Sequence, residues 1–517
     1  MTGLRNAPRD DAEHSRLRDA ALEILCSTEL SHLVELVCWS PEPDTYEARS
    51  VDGHVRFRRT TEGPSVAFST DGKFSHNPIA DQDPLRFSPL ADEVANQWPD
   101  RSMNSYPYAY EHIAQVFDHP CAPDLCVLHT SSHRCEDHRG EHGSLGVIQA
   151  RAPFVISGSG IRRQGLVDRH CRLIDVAPTV LSLLGIDPGE GIGPSGSRRE
   201  DAYLSRQDGD IVGGLYDADA PQSDRVICFL LDGTNPNMLY DMAESGEAPT
   251  VARLIEEGTA FRHGAIASLP TVTLPNHTSL LTGCHPGHHG VLHNAWYDRG
   301  LSRQVVTESP STWQEAMRWV APGIQTVHEA IAKARPGSCT ISINEPADRG
   351  ASYSTFELIR TGRAREFAGL SSKAPSRATE RFVHSSDAYK WGTTIDDSSV
   401  AQACALLEGR LGSYPAPVFM WVNTALTDSA SHEGGPNSEM ARAAVRDTDA
   451  RIADVLGAVD TELGPEGTTV LVLADHGMEL NDPEVTGDWG SFLADAGIVF
   501  RDEGSGFLYL GVEPDAP

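Results

Sequence analysis

The run TTVLVLADHG, residues 468–477, decides the fold. Its β-branched and aliphatic residues read as a strand buried on both faces. It stops at Asp475, His476 and Gly477, a turn carrying two metal-ligating side chains. Four other short apolar runs have the same character: DLCVLHT (124–130), APFVISG (152–158), RVICFLLDG (225–233) and APVFMWVN (416–423). Between them lie stretches with apolar residues at three- and four-residue spacing, such as APTVARLIEEG (248–258), IQTVHEAIAKA (324–334) and SVAQACALLEGRL (399–411). Strand and helix alternating in this way predict an α/β fold, a three-layer sandwich with a central, mostly parallel sheet flanked by helices. In such sheets the chemistry gathers at the C-terminal strand ends.

Composition narrows the partners. The 517 residues carry a formal net charge of −31, so a nucleic acid polymer is repelled and a small anionic substrate needs local cations. No run of about eighteen apolar residues predicts a membrane span. The first residues, MTGLRNAPRDDAEHS, have no apolar core of a secretory signal. Ten cysteines lie scattered without a CxxC pair, several inside apolar runs, which fits buried thiols and a cytoplasmic location. The segment 187–210, DPGEGIGPSGSRREDAYLSRQDGD, is rich in Gly, Ser and charge and reads as a linker rather than a core element.

Three strand ends carry acidic or imidazole groups. Asp232 follows RVICFLL, and Asp475 and His476 follow TTVLVLA. Asp428 and His432, four apart in WVNTALTDSASHEGG, share a face if the segment turns as a helix. A lone Asp after a strand is usually a turn former, but carboxylates gathered from three parallel strands need cations. Mixed Asp and His ligands without Cys suit zinc or a similar divalent ion. In SLPTVTLPNHTSLLTG (268–283), Pro275 marks a helix start with Thr273 just ahead of it, either as an N-cap or as a nucleophile at a partly positive helix end.

Asp232, Thr271-x-Thr273-x-Pro275-Asn276-His277, Asp428-x-x-x-His432 and Asp475-His476-Gly477, in that order, resemble the alkaline phosphatase superfamily. The nearest likeness is its type I phosphodiesterase/nucleotide pyrophosphatase branch, over residues 225 to about 480. The resemblance implies Thr273 as nucleophile and Asn276 as hydrogen-bond donor to a phosphoryl oxygen. It implies two divalent metal ions, zinc by ligand type. Asp232, Thr273, Asp475 and His476 would hold one, and Asp428, His432 and one later His the other. The branch often has Lys between the two threonines, where this chain has Val272. It implies a small phosphorylated substrate and a diester or nucleotide pyrophosphate bond. Phosphonate hydrolysis, phosphomonoester hydrolysis and a non-catalytic binding protein are the alternatives on the same core. No Cys-x-Pro-x-Arg-like nucleophile segment suggests a sulfatase.

After Met478 the chain contains no histidine. The family's usual ending is a His-Gly sequence, a Pro-led strand, a Gly-rich turn and a D-x-A-P-T helix. That order occurs near the front, as EHGSLGVIQARAPFVISGSG (141–160) and IDVAPTVLSLLGI (174–186). The expectation is a circular permutation. Residues 1–190 resemble the C-terminal part of the family domain, 191–224 form a linker, 225–517 resemble the N-terminal part, and His142 is the missing ligand. An unrelated front domain, or a homodimer that completes the site across chains, are the rival readings. The surrounding His129, His133, Cys135, Asp137 and His138 share no ligand spacing and read as a solvated loop. Residues 295–395 read as a substrate-facing wall without assigned roles.

Overall fold

The computed structural model describes residues 11–62, 65–72, 76–131, 138–189, 203–216, 222–309, 311–370 and 386–514. His133, Cys135 and Asp137, and the linker residues 190–202 and 217–221, lie outside them.

The central sheet has eight strands, in the order Tyr353–Ser354, Cys339–Ile343, Pro417–Thr424, Arg225–Leu231, Thr468–Leu473, Phe154–Gly158, Gly258–Phe261 and Gly165–Val167. The first five are mutually parallel. Along Arg225–Leu231, Val226, Cys228 and Leu230 enter one apolar cluster, while Ile227, Phe229 and Leu231 enter another on the opposite face. Both faces are therefore covered, as the unbroken apolar runs predict for a parallel sheet. One layer contains Pro236–Glu244, Pro249–Glu257, Asp387–Leu407 and Glu439–Glu462, and the other Val176–Leu183, Thr273–Thr282 and Val327–Ala334. The α/β sandwich expected from the sequence is the observed architecture.

Three details differ from expectation. Phe154–Gly158 runs antiparallel to both of its neighbours, Thr468–Leu473 and Gly258–Phe261. DLCVLHT is not in the central sheet. Its strand Leu125–His129 belongs to a separate seven-stranded sheet, pairing antiparallel with Val34–Glu42 and with Phe507–Leu510. An apolar run of five residues carries no direction and no partner, so it reads alike in either sheet. Finally, the described part of the linker is core: Leu204, Val212 and Leu215 are buried in the same cluster as Leu173 and Val180. Three buried residues spread over twelve positions leave no periodicity to see.

The second sheet draws both ends of the chain together. The helix Asp11–Leu25 buries Ala21, Leu22 and Leu25 against Leu508 and Leu510 of the Phe507 strand and Trp489 and Leu493 of the helix Trp489–Asp495. Nine cysteines are described, all buried and none in a disulfide. Among the described residues no helix is long and apolar enough to cross a membrane.

Candidate active site

Four adjacent parallel strands end at one place. In sheet order they deliver Glu345 after Cys339–Ile343, Asp428 after Pro417–Thr424, Asp232 after Arg225–Leu231, and Asp475 with His476 after Thr468–Leu473. The short helix Leu426–Gly434 begins right after its strand, so Asp428 and His432 share one face, and His432 Nε2 lies 3.4 Å from Asp428 Oδ1. The helix start is pinned by buried Asp396, whose Oδ1 accepts from Ala425 N at 2.7 Å. Gly233 (φ 63°) is required beside them, because a Cβ there would lie 2.6 Å from Asp428 Oδ1.

His142 comes to this group from the front of the chain. Its Nε2 lies 3.2 Å from His432 Nε2 and 3.9 Å from Asp428 Oδ1. Its Nδ1 donates to Thr271 O at 2.9 Å, and His432 Nδ1 donates to Gly140 O at 2.8 Å. With both Nδ1 atoms so engaged, two bare Nε2 lone pairs face each other and Asp428, an arrangement that a shared cation stabilises. Thr271 also receives Gly143 N at 3.0 Å and donates to Ser144 O at 2.7 Å, locking the 142–144 turn two residues before Thr273. Burial, reinforced by His476 and His432, pushes the His142 pKa well below its ordinary range, so the imidazole is neutral with a lone pair to give.

The second group lies directly beside the first, with the His142 and His476 rings stacked at 3.7 Å between centroids. His476 Nε2 is 3.1 Å from Asp475 Oδ2, 3.7 Å from Asp232 Oδ1 and 3.4 Å from Thr273 Oγ1. Burial, then Asp475 and Asp428, raises the Asp232 pKa well above the carboxylate range. Burial works the same way on Asp475, but His476 and His277 outweigh it and hold that carboxyl low. Protein alone keeps these carboxylates together only by protonating one of them; a divalent cation would take the place of that proton. Asp232 Oδ1, Asp428 Oδ1 and Asp475 Oδ2 are buried with no hydrogen-bond partner, which is what ligand atoms look like before they are coordinated. His142, Asp428 and His432 form one set able to hold an ion, and Asp232, Asp428 and His476 another. The donor atoms fit two divalent metals.

Thr273 is the first residue of the helix Thr273–Thr282, whose N-cap is Val272 with no side-chain cap bond. Its hydroxyl is therefore not a cap, and it faces the second group. Asn276 is a correction. It is fully buried, its Nδ2 donating to Ser268 O, Pro270 O and Val272 O at 2.9–3.2 Å and its Oδ1 accepting from Ser268 N at 2.9 Å. Three residues on from Thr273, it points into the loop behind the helix and has no donor left for a substrate. Asn294, which the sequence did not single out, lines the cleft instead. Its Oδ1 accepts from Leu274 N at 3.3 Å, leaving its amide nitrogen to the cleft. An isolated Asn in VLHNAWYD gives no signal of this. Glu345 was not legible, and the motif that contains His277 gave that residue no role; His277 Nδ1 lies 3.0 Å from Glu345 Oε2, both side chains fully buried.

The cleft over these groups holds about 500 Å³. Its lining includes the apolar side chains of Leu274, Trp313, Phe356 and Trp391, together with Ser505, Phe507 and the strand end at His129. Trp313, Asn344, Pro346, Phe356, Trp391 and Ile395 lie within the stretch expected to face substrate. Among the described residues no Lys or Arg lines it. His129 is tied to Trp489 at 2.9 Å, whereas His138, 2.7 Å from Glu141, lies beside the first group with its ring 4.6 Å from that of His432, and His138, Glu141 and His432 form a further set able to hold an ion.

The family model for type I phosphodiesterase / nucleotide pyrophosphatase matches residues 226–516. An uncharacterized pyrophosphatase/phosphodiesterase of Schizosaccharomyces pombe is 32% identical over 111 residues, 21% of this chain and 22% of that protein. Alkaline phosphatase PafA of Elizabethkingia meningoseptica is 30% identical over 108 residues, 20% of each chain. The chain thus spans about a fifth of the length of these curated relatives. Among solved structures, murine ectonucleotide pyrophosphatase/phosphodiesterase 5 aligns with a TM-score of 0.37 and 16% identity over 54% of this chain and 64% of that one.

Proposed function

The chain belongs to the type I phosphodiesterase/nucleotide pyrophosphatase family of hydrolases, and from that premise we propose that it is a metal-dependent hydrolase of phosphoric esters whose nucleophile is Thr273. The observation that carries the reading is the position of Thr273 Oγ1. It stands at a helix N-terminus, 3.4 Å from His476 Nε2, in a cleft where the second ligand group lies beside the first. Asp232, Thr273, Asp475 and His476 would hold one divalent ion and Asp428, His432 and His142 the other, with zinc favoured by the N and O donors. When bound, the two ions supply Lewis-acid stabilisation at the attacking and leaving oxygens.

Thr273 Oγ attacks phosphorus, the ester P–O bond breaks, and the alcohol or phosphate departs from a phosphothreonine that water then hydrolyses. Asn294 Nδ2 and the backbone N–H of Thr273 at the helix start hold the non-bridging oxygens as charge develops. Asn276 holds the 268–272 loop that carries Thr271 and presents Thr273.

The cleft favours a diester or pyrophosphate over a monoester. A monoester dianion would enter a lining that contains Glu141 and Glu308 and no cationic side chain among the described residues, while a diester brings a single charge and a second organic arm. The apolar side chains of Leu274, Trp313, Phe356 and Trp391 suit that arm. Phosphonate hydrolysis remains the second reading, since its substrate also presents a tetrahedral phosphorus to Thr273. Hydrolysis of bis(p-nitrophenyl) phosphate and p-nitrophenyl phosphate, before and after chelation, tests the proposal. Diester turnover should exceed monoester turnover and both should vanish with the metal. Faster monoester turnover overturns the substrate preference, and chelator-resistant turnover overturns the metal dependence.

We further propose that residues 1–190 and 225–517 are one catalytic domain in permuted order. Residues before 226 lie outside the family match, yet they supply His142 and a central strand, and the two ends of the described chain share one sheet and one apolar cluster. No residue from a second chain is needed to complete the ligand set. A re-ordered chain, joined from residue 514 to residue 11 and opened within 190–202, should fold and bind the same two metal equivalents. Failure to do so while the parent succeeds defeats the permutation. Nine buried thiols suit a reducing cytoplasm.

A further inference from the structure

The stretch SINEPADRG (342–350) holds a buried carboxylate that the reaction above does not use. Glu345 follows the strand Cys339–Ile343 through Asn344, which adopts a left-handed φ of 52° and is fastened by Asn423 Nδ2 to its O (2.9 Å) and by Thr355 Oγ1 to its N (3.0 Å). That kink turns Glu345 inward, where Ala347 N donates to its Oε1 at 2.8 Å. Its Oε2 then faces His277 Nδ1 at 3.0 Å. The opposite nitrogen of the same ring, Nε2, lies 3.5 Å from Asp475 Oδ2 and 3.7 Å from Asp232 Oδ2. His277 stands one turn after Thr273 on the same helix, so the ring reaches from behind the nucleophile toward both carboxylates.

We propose that Glu345 and His277 are a positioning pair that orients Asp475 and Asp232, so that the metal site next to Thr273 is formed before the ion arrives. Three features argue against simple core packing. A buried carboxylate costs stability unless it is paired, and an apolar residue would fill the same space without that cost. The backbone at Asn344 is held in a rarely populated conformation to bring the carboxylate there. The partner imidazole turns its second nitrogen toward the two aspartates that the nucleophile's site requires, 3.5 and 3.7 Å away, and outer partners of this kind fix ligand orientation and tune affinity. The first metal group has its own anchors, the carbonyls of Thr271 and Gly140, and does not depend on this pair.

The inference rests on the two-metal reading above, and the test separates the two. Metal-free protein is titrated with Co²⁺, following the visible absorption of each equivalent, in the parent chain and in E345A, E345Q and H142A. The parent should take up two equivalents; uptake of none defeats the two-metal reading itself. E345A should weaken one equivalent by about 10- to 100-fold and leave the other unchanged, and H142A should lose the other one. E345Q, which keeps an acceptor for His277, should recover most of the affinity and guards against a folding defect in E345A. Two tight equivalents with parent-like spectra in E345A would overturn the pairing. So would equal weakening of both sites in E345Q. For turnover at saturating metal, kcat should fall in E345A while KM for the diester stays, because the pair touches ligands rather than substrate.

Discussion

His288 clamps the two sequence segments together, and its titration measures that clamp. It lies in the short helix Pro286–His289, with Nδ1 2.7 Å from Asp208 Oδ2 and Nε2 2.7 Å from Asp118 Oδ2. Asp118 is also held by Arg59 at 2.8 Å. Both carboxylates come from the part of the chain before residue 225, and His288 from the part after it. Burial works against the imidazolium, but Asp208 and Asp118 outweigh it and raise the pKa from 6.5 to about 9, with Arg206 opposing weakly. The same attraction holds Asp208 well below its usual range, so it is counted once. At about 1.4 kcal/mol per pKa step, the rise corresponds to about 3 kcal/mol. Because the folded pKa is raised, this stabilisation is fully present below pH 6.5 and lost as pH climbs through about 9. Urea unfolding from about pH 6 to about pH 10 should show it as the difference between the parent and H288Q. The difference is needed because burial also raises Glu479 to about 8 and Asp396 and Asp502 to about 7, and these cost stability over part of the same range. H288Q should be the less stable by about 3 kcal/mol at the acid end, with the gap closing toward the alkaline end. A gap that stays constant with pH refutes a charged His288 between the segments.

Other expectations follow from the site. T273A should lose all turnover yet still bind metal by elemental analysis; activity within about tenfold of the parent rejects covalent catalysis by Thr273. N294A should lower kcat/KM by about 10²- to 10³-fold with an unchanged melting temperature, as removal of an oxyanion donor does. N276A should instead unfold about 3 kcal/mol more easily, since buried backbone groups of residues 268–272 lose their partners. If N276A is as stable as the parent and N294A is as active, the two roles are wrongly assigned. H142A should retain the fold by circular dichroism and bind one metal equivalent fewer.

Much of this site could be read in advance, and the reasons differ by residue. Asp232, Asp475 and His476 follow unbroken apolar runs, and parallel strands have to end on one edge. Asp428 and His432 have a helical spacing that a short turn honours. His142 was legible through the lack of any histidine after His476 together with its own His-Gly turn ahead of APFVISGSG (152–160). Asn276 failed because the motif gives its distance from Thr273 along the chain, while its direction is set by the turn of a helix whose back is buried. Glu345 and Asn294 are single polar residues in loops, and their meaning comes from sheet order and a kink that no local pattern encodes. The orientation of Phe154–Gly158 and the sheet of Leu125–His129 were beyond reach for a similar reason, because apolar runs encode burial and not pairing.

The permuted reading proposed above has a physical basis at Thr271. His142 is held in place by Thr271 O, and its neighbours Gly143 and Ser144 by the Thr271 hydroxyl. On the other side, Gly140 O receives His432 Nδ1, and Gly140–Glu141 pairs antiparallel with Glu479–Leu480. Each tie crosses from one segment to the other through tertiary hydrogen bonds, and none depends on continuity of the backbone between residues 189 and 222. The geometry of the candidate site is therefore set by tertiary contacts, which a re-ordered chain would keep if it is opened away from them. On that reading the cost of permutation would fall on loop closure, which grows only slowly with length and would be offset by the buried Leu204, Val212 and Leu215 and by the Asp208–His288 clamp.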